Sequence, residues 1–313
     1  MRYYIGADGG GTKTHLALFD ENKNVLRELR IAGTNHENYE GGIPEAARLL
    51  LDGIHALLGS AGLRQSDIAR ALFALAGIDH PYQAEEMTAA LKSRGFTVPF
   101  TVCNDGCIIP KAGSENRAAI GYNCGTGTCC DSADEDGKLL QIGGLCALTG
   151  DVGGGVWIAG QVFRMVYDDV CLLLRPTACT AFVSKKRAIR PDRDGILSLA
   201  PLLETEDPAL IRDLIDVFFD ALNGGDAPAV EVARRMAVRG AEYITAHLRN
   251  GRFDSEPVDV VLSGSIHTKL PSGRYIEMLE AETEKRTDKR LRFIRLRVPP
   301  VYGCINWMLQ DEK

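Results

Sequence analysis

Hydrophobic and polar positions change period several times along this chain, and the changes mark out its elements. Residues 4–20, YIGADGGGTKTHLALFD, hold two apolar runs of strand character around Gly-Gly-Gly-Thr-Lys-Thr. The polar turn DENKN at 20–24 leads to a third strand, VLRELRI, at 25–31. After the loop AGTNHENYEGG, residues 43–62 carry apolar side chains at helical spacing. A buried strand at 71–77, a helix around 83–94 and a strand at 98–103 complete an alternation that predicts an α/β domain.

Residues 118–144, AAIGYNCGTGTCCDSADEDGKLLQIGG, begin the pattern again: strand, glycine-threonine turn, strand, acidic turn, strand. GGGT at 9–12 and GTGT at 125–128 are offset by about 116 residues, a domain-sized interval. Two related domains facing one another follow from the repeat, with a cleft between them as the preferred place for a ligand. The remainder reads as helical: 156–174, 208–222 and 227–250 all carry apolar stripes that imply core packing. Residues 257–265, PVDVVLSGS, read as a buried strand entering a small-residue turn, and VPPVYGCINWMLQ as a closing helix. The polar stretch 175–207 reads as a surface excursion. The predicted division is an N-terminal α/β domain over 1–113, a C-terminal α/β domain over 114–298, and a final helix at 299–313 packing back on the first.

Composition narrows the field. At 313 residues there is enough chain for two cores, and 45% hydrophobic with 25% charged residues is ordinary for a globular protein. The net charge of -6 argues against a dedicated nucleic-acid or membrane partner. No run approaches 18 apolar residues and the N-terminus lacks a signal pattern, so a cytoplasmic location is expected. Nine cysteines, with no C-x-x-C pairs at zinc-ribbon spacing, are expected to be reduced thiols, mostly buried.

The first turn has more glycine than a hairpin needs, because about two permissive residues suffice. A P-loop requires G-x-x-x-x-G-K-[ST] before a helix, and a dinucleotide fingerprint requires strand–turn–helix. Both fail, since THLALFD continues as a strand. What remains is a cradle of bare backbone amides for phosphate, from Gly9, Gly10, Gly11, Thr12 and Lys13, with hydroxyls from Thr12 and Thr14. Asp8 is placed to hold Mg²⁺ through water. Gly125, Thr126, Gly127 and Thr128 offer a second set of amides and hydroxyls, and Gly264 with Ser265 a bare turn for adenosine. The apolar strand VPFTVC ends at Cys103, so Asp105 emerges at the carboxyl edge of a sheet, where ligands of open α/β folds bind.

The set DGGGTKT, CNDG, CGTGT, GD followed by glycines, and VVLSGS resembles the superfamily of sugar kinases, heat-shock ATPases and actin. Within it the chain is most similar to the N-acetylglucosamine kinase and BadF/BcrA-type ATPase family, from Ile5 to the tail VYGCINWML. The resemblance implies two ribonuclease-H-like, actin-like ATPase domains closing on ATP and Mg²⁺, with a sugar hydroxyl receiving the γ-phosphoryl group. It implies Asp105 as the general base, and Asn35, Thr126 and Asp151 together with Asp105 as sugar contacts. His36 shares the Asn35 loop, where a lone histidine is ordinarily solvated. The expected partners are a small-molecule sugar and a second copy of the chain in a homodimer.

The sequence also departs from that family. Leu145 stands where a tryptophan is common, Val152 where a glutamate is, and Gly154 and Thr128 where serines are. Loss of the aromatic and acidic groups bears on which sugar is taken, not on phosphate handling. Two other readings remain open. NCGTGT resembles the turn of ATP-dependent activators of acyl-CoA dehydratases, in which Cys124, with Cys146 as a second candidate, would ligate a [4Fe–4S] cluster. A non-catalytic nucleotide-binding regulator is the other, motivated by the altered GDVGGG segment.

Overall fold

The computed structural model describes residues 2–269 and 273–312. The N-terminal half contains β1 (Tyr3–Gly9), β2 (Lys13–Asp20), β3 (Val25–Ala32), α1 (Gly42–Ala61), β4 (Ile68–Leu75), α2 (Pro81–Ser93), β5 (Phe100–Cys103) and α3 (Ile108–Gly113). The rest contains β6 (Ala119–Cys124), β7 (Thr128–Ala133), β8 (Leu139–Gly143), α4 (Gly155–Val170), α5 (Ala178–Arg187), α6 (Arg193–Leu197) and α7 (Ala200–Glu204). It continues with α8 (Pro208–Asn223), α9 (Ala227–Asn250), β9 (Val258–Ser263), α10 (Ser265–Thr268), α11 (Arg274–Glu284), β10 (Leu291–Arg295) and α12 (Tyr302–Asp311).

The strands form two five-stranded sheets of one topology, β3-β2-β1-β4-β5 and β8-β7-β6-β9-β10. Each opens with an antiparallel meander and continues with two parallel strands. The duplication read from the glycine turns is therefore a duplication of whole sheets. β2 is buried along nearly its full length because helices cover both faces, which is why it reads as a continuous apolar run. Ile5, Ala7, Leu16 and Leu18 pack with Leu50 and Ile54 of α1. Tyr4, Ala17 and Phe19 pack with Cys304, Ile305 and Met308 of α12 on the opposite face. A Cβ at Gly6 would come to 2.8 Å from that of Cys304, so α12 sits tight on β1. In the second sheet Ile120, Tyr122, Val260 and Leu262 face α4, α8, α9 and α11, while Ile109 of α3 meets Val261 on the other side.

The stretch 175–207 is not a surface excursion. It folds into α5, α6 and α7, and Cys179, Val183, Ile196 and Leu199 enter the C-terminal core. Its polar residues cap and pair: Thr177 accepts from Cys179 N–H, Asp192 from Gly195 N–H, and Arg187 meets Asp213 of α8 at 2.8 Å. The helix expected at 156–174 stops at Val170. Leu173 takes a left-handed φ of 53° and Pro176 follows, which leaves Leu172, Leu173 and Leu174 exposed. Six cysteines (103, 107, 124, 130, 179 and 304) are buried, and none is in a disulfide.

Candidate active site

The first glycine turn joins β1 to β2, with Gly9 opposite Thr14 and Gly10 N–H bonded to Lys13 O at 3.0 Å. Gly33 backs it so closely that a Cβ there would come to 2.3 Å from Gly11 O, and Asn38 donates to Gly11 O at 2.9 Å. Gly11, Thr12 and Lys13 are exposed at the tip. Thr14 is not: it is fully buried and its hydroxyl lies 2.8 Å from that of Thr34. Strand alternation turns it inward, so only its backbone remains for the phosphate role its hydroxyl was expected to share.

Two recesses open between the sheets and meet at Asn123, which lines both. One, of about 730 Å³, takes Asp8, Lys13 and His15 from the first hairpin and Ser263, Gly264 and Ser265 from the end of β9. Gly264 has φ 84°, and a Cβ there would lie 2.1 Å from Cys124 O, so no side chain fits at this turn. The other, of about 660 Å³, takes Asn35, Asp79, Asn104 and Asp105 from the N-terminal half. Facing them are Thr126, Gly127, Thr128, Asp151 and Trp157.

Asp105 opens the short 3-10 turn between β5 and α3. Asn104 caps that turn by accepting from Gly106 N–H at 2.8 Å and donates its amide to Asp79 at 2.8 Å. Burial pushes the Asp105 carboxyl up to about 6, with Gly106 N–H opposing and Asp79 adding to the rise. Burial also pushes Asp8 up to about 7, with Asp105 adding repulsion and Lys13 opposing it. A carboxylate here suits Mg²⁺, a hard cation that takes oxygen and water ligands, and the repulsion between the two acids is what a divalent cation relieves.

Asp151 lies on the C-terminal wall and is itself held fast. It accepts from Gly144 N–H at 2.8 Å, from Thr149 Oγ1 at 2.9 Å and from the Tyr243 hydroxyl. Asn35 accepts from Glu37 N–H at 3.0 Å and packs against Gly77, where a Cβ would come to 2.4 Å from Asn35 Oδ1. His36 also lies close to Gly77, its Nδ1 buried without a hydrogen-bond partner among the described residues. Thr128 is buried and donates to Val152 O at 3.1 Å. Gly154 is required by close approach: a Cβ would reach 2.6 Å from Thr126 O. Leu145 is 58% exposed and does not line the recess. The aromatic group on this wall is Trp157 of α4.

Asp79, Asn104, Asn123 and Trp157 escaped the sequence reading. Asp79 follows β4 just as Asp105 follows β5, so the sheet-edge rule that singled out one applies to the other. Trp157 sits in an apolar stripe that implied core alone. Cys124, a candidate cluster ligand, is fully buried, and burial pushes its thiol up to about 12; Cys146, the second candidate, is exposed.

Over half of each chain, 155 residues, the protein is 30% identical to the N-acetylmuramic acid/N-acetylglucosamine kinase of Clostridium acetobutylicum, so it aligns with about half the length of that relative. A Chromobacterium violaceum structure provisionally assigned as an N-acetylglucosamine kinase superposes with a TM-score of 0.67 over 99% of both chains, at 18% identity. The ROK-family glucokinase of Streptomyces griseus, solved with glucose and AMPPNP, superposes with a TM-score of 0.58 at 16% identity, covering 99% of this chain and 98% of that one. The fold is thus that of two-domain sugar kinases. Residues 5–289 match the BadF/BadG/BcrA/BcrD ATPase family, to which this chain belongs.

Proposed function

We propose that the protein is an ATP-dependent kinase of a hexose or amino sugar of the N-acetylglucosamine type. The observation that carries this reading is the position of Asp105. It stands at the end of β5 in the recess between two duplicated sheets, beside a second recess lined by the first hairpin and the β9 turn. Mg-ATP, once bound, supplies the phosphoryl group and offsets the charge that develops on it.

Gly9, Gly10, Gly11, Thr12 and Lys13 would hold its phosphates through backbone amides, with the Lys13 ammonium near the transferred group. Asp8 would hold the metal through water, and Gly125, Thr126, Gly127 and Thr128 would close on the phosphates from the other domain. Gly264 and Ser265 leave bare backbone for the adenosine. Asn35, Thr126 and Asp151 would orient the sugar, and Asp105 would take the proton of the hydroxyl that attacks. A base pushed up to about 6 is still ionised at neutral pH and more basic than an ordinary carboxylate. The clamp around Asp151 supports this reading, because a rigid carboxylate discriminates hydroxyl patterns better than a mobile one.

The test is ADP release from Mg-ATP against glucose, glucosamine, N-acetylglucosamine and N-acetylmannosamine, with Asp105→Asn as control. Release stimulated by one sugar and lost in the control is expected. Release independent of sugar, or none with any, would overturn the reading.

A further inference from the structure

Among the described residues, the carboxylates that line the Asp105 recess are Glu37, Asp79, Asp105 and Asp151. Asp151 is saturated, since both of its oxygens accept bonds from the protein. Glu37 belongs to the exposed loop of Asn35 and accepts from the Asn35 amide at 3.3 Å. Asp105 is the proposed base. Asp79 has no role in that scheme, yet it is held in place. Its Oδ1 accepts from Asn104 Nδ2 at 2.8 Å, and its Oδ2 has no hydrogen-bond partner among the described residues.

The chain on either side of Asp79 is fixed by a buried amide. Gln83, 7% exposed, accepts from the backbone N–H of Asp79 at 2.8 Å and of His80 at 2.7 Å. Asn104 then ties Asp79 to the turn of Asp105, because its Oδ1 takes Gly106 N–H. β4 and β5 are parallel neighbours, and each carboxylate follows its own strand out of the carboxyl edge. Neighbouring strands lie about 4.8 Å apart, a spacing at which two carboxylates can each reach one of two neighbouring hydroxyls on a pyranose. Asp79 is near enough to Asp105 for its charge to add to the rise of that carboxyl. A sugar seated here takes water away from Asp79, and a carboxylate oxygen stripped of water is costly unless a hydroxyl donates to it.

We propose that Asp79 is a specificity-determining residue whose Oδ2 accepts a hydrogen bond from the sugar hydroxyl next to the one that Asp105 deprotonates. The inference rests on the sugar-kinase reading for the presence of a sugar in this recess. It adds a requirement to that reading: the acceptor must carry two neighbouring free hydroxyls, and an analogue that lacks the second is rejected.

Binding is measured by titration calorimetry, with a non-hydrolysable ATP analogue present, for glucose, N-acetylglucosamine and the 3-, 4- and 6-deoxy forms of each. The wild type is compared with Asp79→Ala and with Asp79→Asn, which can keep the Asn104 bond through its carbonyl while losing the charge. In the wild type, loss of one particular hydroxyl is expected to weaken binding about tenfold to a hundredfold, the usual strength of a hydrogen bond to a charged group. Asp79→Ala should weaken the intact sugar by a similar factor, and Asp79→Asn by severalfold. In both variants that one deoxy form should lose little further affinity, whereas the other deoxy forms lose as much as they do in the wild type. A role confined to holding Asn104 would weaken every sugar alike, and that result would overturn the inference. So would a raised Mg²⁺ requirement in Asp79→Asn without coupling to any hydroxyl. Turnover separates the two readings. Sugar-dependent ADP release without coupling at Asp79 leaves the kinase standing and removes this inference, while coupling without ADP release defeats the kinase reading and leaves the Asp79 contact. Binding by no sugar of either series defeats both.

Discussion

The carboxyl of Asp131 lies directly against the α-carbon of Gly106: a Cβ built on Gly106 would come to 2.2 Å from Asp131 Oδ2. Asp131 belongs to β7 of the C-terminal sheet, whereas Gly106 belongs to the turn that carries Asp105. The two halves of the chain therefore touch immediately beneath the proposed base. Gly106→Ala must push that turn away from β7, and a shift of about 1 Å in a reacting group costs about 10²-fold in rate. We expect sugar-dependent ADP release to fall by about that factor, with overpacking costing about 1–3 kcal/mol in urea unfolding. Full activity in Gly106→Ala would show that the contact does not set the position of Asp105.

Asp131 is fully buried, and burial followed by repulsion from Asp105 pushes it up to about 7, with the neighbouring Cys129 thiol opposing the rise. A carboxyl whose folded value is raised binds more protons folded than unfolded. Its contribution is therefore full below pH 4 and is lost as pH rises toward 7. Asp131→Asn removes the ionisation and should leave stability near pH 4 almost unchanged. At pH 8 it should raise stability by about 2–4 kcal/mol, seen as several degrees in the melting temperature. A variant equally or less stable at pH 8 would mean that the carboxylate has a partner when ionised.

For Asp105 the same direction of shift has a kinetic consequence. A general base acts as the carboxylate, so kcat/KM should rise with pH through about 6, the value to which burial raises it, and level off above. Asp105→Asn should lower turnover by about 10²–10⁴-fold while ATP affinity changes less than about threefold. Turnover retained above a few per cent would remove Asp105 from the chemistry.

The legibility of this fold in its sequence was uneven for physical reasons. The duplicated hairpins were visible because glycine turns and β-branched runs are local signals, and both appear as β1-β2 and β6-β7. The segment 175–207 was misread because its buried set, Cys179, Val183, Ile196 and Leu199, is sparse among charges that pair with α8. β10 was missed because LRFIR is a short edge strand whose Arg292 reaches across to Asp259 at 2.7 Å. Within the cleft, residues at strand ends could be placed from sequence. Thr14 could not, because which face of β2 it occupies depends on a neighbour, Thr34, twenty residues away.

Asp8 and Lys13 flank the first turn, and Asp8 carries the largest charge problem in the nucleotide-side recess, with Asp105 as its nearest anionic influence. Asp8→Ala removes a metal-holding oxygen without touching the turn itself. The Mg²⁺ concentration for half-maximal ADP release should rise by about tenfold or more, since one charge-assisted ligand contributes on that scale. An unchanged Mg²⁺ dependence would take Asp8 out of the metal site. Asp8→Asn should fall between the wild type and the alanine variant, because it keeps one oxygen donor and loses the charge.

Leu145 and Trp157 make opposite predictions about sugar choice. The departure from tryptophan at 145 was expected to strip the cleft of its aromatic surface, but the Leu145 side chain is 58% exposed and lies outside the lining. Trp157, twelve residues further on at the start of α4, supplies that surface from another element and is held there by Arg235. Leu145→Trp should therefore leave the order of sugar preference unchanged. Trp157→Ala should raise KM for the preferred sugar about tenfold with kcat changed less than about threefold, because ring stacking is present in ground and transition states alike. If Leu145→Trp reorders the sugars while Trp157→Ala does not, the 145–150 segment folds over the cleft on binding, and Trp157 belongs to the core.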